Sequence, residues 1–213
     1  HHILAFAHVP GGDPRGSAFR FVPVSDRAKA VERMRAERAK ARGPRQARPV
    51  GATRNLIGLM APGTNPMTLE PGSAMRVPKG TELIFQIHYT TSGEATSDRS
   101  RVGMIFADGP PEREVLVGSF LNPYFEIPAG EANHRVDTLI EFEQDIEIYG
   151  LMPHTHLRGK RWEYHMQYPD GRREPVLSVP AYDFNWQTLY EFEEPLSVPK
   201  GARLEATAWY DNS

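Results

Sequence analysis

The sequence predicts an all-β fold of antiparallel sandwiches, and three observations carry that prediction. Short segments with alternating apolar side chains recur along most of the chain. Nineteen prolines and eighteen glycines punctuate them. One pair of runs is joined by turn residues of the hairpin type, Pro169-Asp170-Gly171. Evenly spaced short strands with turn chemistry between them favour antiparallel sandwiches over alternating strands and helices.

The chain opens on His1-His2 and the strand-like run Ile3-Leu4-Ala5-Phe6, an abrupt start that suggests a cut N-terminus. Ser25 to Arg42 is the exception to the β pattern. Ser25 can cap a helix, Asp26 sits in its first turn, and Gly43-Pro44 stops it. Its apolar positions are mostly alanine, with Val31 and Met34 the sizeable ones. It therefore reads as a solvated basic helix over 26–42, inserted in a loop and followed by a Pro/Arg-rich connector to about Arg54.

Leu83–Tyr89 alternates, with Phe85 and Ile87 on one face and Ile84, Gln86 and His88 on the other. Val102, Met104 and Phe106 alternate next. Trp162, Tyr164, Met166 and Tyr168 lead into the hairpin turn, and Val176, Leu177 and Val179 return from it. Leu204, Ala206, Ala208 and Tyr210 share a face near the end. The phrases Val77-Pro78-Lys79-Gly80 and Val198-Pro199-Lys200-Gly201 each read as a turn launching a strand. Their recurrence predicts two domains, 1–114 carrying the insertion 25–54, and 115–213.

A content of 39% hydrophobic and 24% charged residues is that of a globular chain, and no apolar run approaches membrane-spanning length. Stable membrane insertion is not expected. The absence of cysteine excludes a thiolate metal site and a disulfide framework. Residues 26–54 hold ten Lys/Arg against three Asp/Glu, which leaves a body of about −9 on a chain of net −2. No aromatic residues interleave with the basic charges of the helix, so nucleic acid is not an expected partner. Phosphate-loop, nucleophile-elbow and zincin motifs are all missing.

Chemistry concentrates in the histidines. Five of eight fall into three groups: His1-His2, His88, and His154-Thr155-His156. Imidazole is the commonest protein metal ligand and suits copper, zinc, iron and nickel. Histidines at i and i+2 on a strand point to one face, so His154 and His156 can grip one ion. Adjacent His1 and His2 can share an ion only if the backbone bends between them. Tyr182, Phe184 and Trp186 read as core side chains rather than a substrate lining.

The strand opening on His-His, the later Gln86-x-His88-Tyr89 and the turn His154-Thr155-His156-Leu157-x-Gly159 together resemble one family. It is the copper type II, ascorbate-dependent monooxygenases, which include the peptidylglycine and dopamine hydroxylating enzymes. Met152-Pro153-His154 to Lys160 and Tyr182-Asp183-Phe184-Asn185-Trp186-Gln187 look like its bacterial branch. The resemblance implies two jelly-roll-like β-sandwich domains with a copper ion each, facing one another across a solvent-filled cleft. His1, His2 and His88 would hold the electron-supplying copper. His154 and His156 would hold the copper at which oxygen is used and a substrate C–H bond is hydroxylated. Gln86 would help order water between the sites. The resemblance also implies ascorbate or a similar reductant, a small-molecule substrate and O2, and a periplasmic or secreted location.

Two departures limit the transfer. The family completes its second site with a methionine, expected here beyond Ser213. The amidating members carry an arginine two residues before the first histidine of His-Thr-His, where this chain has Met152. Peptide amidation is therefore disfavoured. Two other readings fit some of the residues, a non-catalytic copper-binding β-sandwich module and a histidine-brace polysaccharide monooxygenase led by His1.

Overall fold

A computed structural model describes residues 2–10, 19–22, 24, 29, 33, 56–122 and 124–213. They form an all-β molecule with two compact units, one drawn from within 1–15 and 53–118, the other from within 16–52 and 119–213. Apart from Lys29 and Arg33, the expected basic helix 26–42 lies outside the described residues, as does its connector. Among the described residues, no helix is long and apolar enough to cross a membrane.

The first unit centres on a three-stranded antiparallel sheet. Strand β1 (His2–His8) lies between β3 (Leu56–Met60) and β5 (Glu82–His88). Two-residue strands β4 (Ser73–Ala74) and β6 (Arg113–Glu114) form a parallel ladder beside it. The expected alternation of β5 holds in register: Ile84, Gln86 and His88 pair with Phe6, Leu4 and His2. Burial is shallow, since Ile84, Phe85 and Leu83 are all exposed while Ala5 and Ala7 of β1 are buried.

Val102, Met104 and Phe106 do not form the expected strand. Alternation is insufficient without a partner ladder, and residues 100–107 pair with no strand among the described residues. Ile105 and Phe106 stand fully or largely in solvent.

The second unit is built on a five-stranded antiparallel sheet. Its order is β10 (Arg173–Val179), β9 (Gly159–Gln167), β12 (Arg203–Tyr210), β7 (His134–Phe142), β2 (Phe19–Val22). A second ladder pairs β8 (Ile146–Leu151) with β11 (Tyr190–Val198). One buried cluster joins them: Ile140, Phe142, Met166, Leu204 and Ala206 from the large sheet, Leu151 and Val198 from the small one. Two sheets sharing a core in this way bury their inner faces as a sandwich does.

The outer face of the large sheet is charged. Glu141 pairs with Arg20 (2.7 Å) and Arg203 (2.8 Å), and Glu205 with Arg173 (2.9 Å). Arg161 lies 3.6 Å over the ring of Trp209, which explains why an outward tryptophan is buried.

The local turn chemistry follows the sequence closely. Tyr168 receives the hairpin, with Gly171 at φ 89° and its N–H donating to the Tyr168 carbonyl (3.0 Å). The two recurring phrases adopt one turn. Gly80 and Gly201 have φ of 82° and 85°, and Thr81 and Ala202 donate back to Pro78 (3.2 Å) and Pro199 (3.1 Å). Glycine at the third position with positive φ is the type II geometry. Strand β5 follows the first turn and β12 the second.

Candidate metal centre

The first unit brings two of its expected ligands together. His2 and His88 are direct partners across β1 and β5, and their rings stand 4.0 Å apart at 33°. His2 is buried and His88 exposed. Gln86 lies on the same face by strand alternation and is exposed. His1 lies outside the described residues.

In the second unit the His-x-His segment is not on a strand, contrary to expectation. Strand β8 ends at Leu151, and His154 to His156 occupy the link to β9. Extended backbone still alternates there: Thr155 is buried while His154 and His156 both reach solvent. Their rings are 5.2 Å apart and nearly perpendicular, at 87°. The ring of Phe184 stands edge-on to His156 at 6.2 Å.

One hydrogen-bond chain defines the chemical state of His154. Gln187, almost wholly buried, donates from Nε2 to the Phe184 carbonyl (2.7 Å). That orients its amide so that Oε1 accepts from Nδ1 of His154 at 2.7 Å. His154 thus carries its proton on Nδ1 and its lone pair on Nε2, the form in which a histidine binds metal. Partial burial holds the pKa of His154 below its ordinary value. The Gln187 bond opposes that shift, and the charge of His156 adds to it. The net effect favours the neutral ring, the protonation state that can ligate metal.

The two pairs differ in how well they suit an ion. An ion about 2 Å from each ligating nitrogen lies roughly 3.2 Å from each ring centroid. Centroids 5.2 Å apart then subtend about 110° at the ion, close to tetrahedral. Centroids 4.0 Å apart subtend only about 80°. By ring separation alone, the His154/His156 pair leaves room for one ion, with imidazole donors suited to copper. The closer spacing of the His2 and His88 rings leaves less room. Among the described residues no three histidine, aspartate or glutamate side chains form a ligand cluster.

Sequence reasoning missed the supporting residues. Gln187 was visible only as the end of a motif. Trp186 is 62% exposed rather than in the core, because residues 183–186 close a turn (Trp186 N–H to Asp183 carbonyl, 3.0 Å) and strand alternation does not apply. Tyr182, half-buried, bonds the Thr155 backbone.

Comparison with known families covers this segment. Residues 115–213 match the C-terminal domain of the copper type II ascorbate-dependent monooxygenases. That is the family the histidine motifs resemble. The matched span contains His154, His156, Tyr182 and Gln187, the whole of the pair and its supports. A comparison with curated proteins finds no match.

Proposed function

We propose that the chain is a copper-dependent monooxygenase that hydroxylates a C–H bond of a small organic substrate, using O2 and ascorbate or a similar reductant. The observation that carries this reading is the His154/His156 pair, with His154 held by Gln187 in a metal-binding tautomer, within the span that matches the family. Copper held by imidazoles supplies one-electron redox chemistry toward O2. The overall reaction puts one oxygen atom into the substrate and releases the other as water, consuming two electrons and two protons.

The chain's own residues divide the work. His154 and His156 hold one copper, with Gln187 keeping His154 in its ligating form and Phe184 restricting the ring of His156. His2 and His88, with His1, hold a second copper that passes electrons, and Gln86 on their face orders water. Each domain of this reading is a jelly-roll-like sandwich, and the protein acts in the periplasm or outside the cell.

Copper titration of the full-length protein, with oxygen uptake followed in the presence of ascorbate, tests the proposal. Two copper ions per chain and ascorbate-driven oxygen consumption are expected. One ion or none would sink it, and bound copper without oxygen uptake would instead indicate a non-catalytic copper-binding module.

A further inference from the structure

We propose that Tyr182 is the positioning residue that sets the spread of the His154 and His156 rings, acting through the backbone of Thr155. This rests on reading the pair as a copper site. Thr155 lies between the two histidines and is 4% exposed. A single phenol holds both of its backbone groups: Tyr182 O–H donates to the Thr155 carbonyl (2.7 Å), and its oxygen accepts from the Thr155 N–H (3.2 Å). With the middle residue pinned on both sides, its two neighbours are directed outward together.

The opposite side of Thr155 is closed by Gly159. A Cβ at Gly159 would lie 1.8 Å from Thr155 Oγ1, 2.7 Å from its Cβ and 3.0 Å from Cδ1 of Tyr182. The Gly159 N–H donates to the His156 carbonyl (2.8 Å), which closes the turn after the second histidine. Tyr182 is itself tied to the next residue, its N–H donating to the Lys160 carbonyl (2.9 Å). Thr155 is thus clasped between the first residue of β9 and a tyrosine anchored to that same strand. Only glycine fits at 159, which gives the sixth position of His-Thr-His-Leu-x-Gly a steric cause.

The clasp works independently of Gln187. Gln187 fixes which nitrogen of His154 carries the proton, whereas Tyr182 fixes where the two rings leave the backbone. Burial raises the Tyr182 phenol above its ordinary pKa, so it remains a donor through neutral pH.

The test uses the full chain in a His88→Ala background, which removes one ring of the other pair. Tyr182→Phe is titrated with Cu(I) against a chromophoric chelator, and its Cu(II) form is examined by EPR. Affinity at the His154/His156 pair is expected to fall about tenfold or more, as when an outer partner of a metal ligand is lost. The copper hyperfine pattern is expected to change while circular dichroism stays that of the wild type. Tyr164→Phe, which removes a buried phenol farther along β9, is expected to leave affinity and spectrum unaltered. Should Tyr182→Phe not fold, Gly159→Ala presses on the same residue from the other side and is expected to weaken copper binding likewise. Wild-type affinity and spectrum in a folded Tyr182→Phe, or in a folded Gly159→Ala, would overturn the proposal, as would an equal loss in Tyr164→Phe. Failure of the His154/His156 pair to bind copper before any Tyr182 change would remove the copper reading, and this one with it.

Discussion

The two histidine pairs are assembled by different physical means. His2 and His88 face each other across a strand ladder, and register alone brings them together. Their rings lie 4.0 Å apart and tilted, with shallow burial around β5. His154 and His156 leave an irregular link, where nothing in a ladder fixes direction, and the fold supplies dedicated supports instead: Gln187 on a ring nitrogen, Tyr182 and Gly159 on the backbone. A pair set by register can rearrange at small cost. Where buried partners hold a pair, any lost partner is felt directly. The difference matches the roles proposed for the two centres, electron supply in one and the hydroxylation step in the other.

The largest expected difference is in packing. Met166 is fully buried at the middle of the second unit's core, so Met166→Ala is expected to cost about 2–5 kcal/mol in chemical denaturation. Phe85 is 39% exposed, and Phe85→Ala is expected to cost less than the roughly 3–5 kcal/mol of a buried phenylalanine. Equal costs would mean that the first unit is as tightly built as the second.

Next comes metal affinity. Gln187→Leu is expected to weaken copper binding at the His154/His156 pair by about 10- to 100-fold, measured by chelator competition. Gln86→Leu, on an exposed strand face, is expected to leave copper affinity unchanged. A comparable loss from both would erase the distinction between a supported pair and an unsupported one.

The smallest effect is in pH dependence. His154 is held below its ordinary pKa, so its NMR titration midpoint is expected below 6.5. The sign follows: the folded chain favours the neutral ring, so the stabilising contribution is complete above about pH 6.5 and is lost as pH falls through the depressed value. A midpoint above 6.5 would contradict the partial burial of that ring.

The legibility of the sequence tracked the same contrast. Where periodicity and turn residues decide structure, the reading held: the face of Gln86 and His88, the hairpin at Pro169-Asp170-Gly171, the two Pro-Lys-Gly turns, and the buried face Leu204/Ala206/Ala208. Val102 to Phe106 misled because alternation reports a preference for a sheet without supplying the neighbouring strand. His154 and His156 were found by spacing, yet assigned to a strand that ends at Leu151. Gln187 lies thirty-three residues from the ring it holds, and Tyr182 twenty-seven from the backbone it clasps. Such long-range pairings leave no periodic trace, so their roles emerge only from the folded geometry.

The central claim is that His154 is held ready to bind metal by Gln187. Long-range 1H–15N NMR of the histidine rings in metal-free protein tests it most directly. The account predicts that His154 is locked as the Nδ1–H tautomer before metal is added, and that Cu(I) then perturbs its Nε2. An Nε2–H tautomer, or averaging between the two forms, would contradict it.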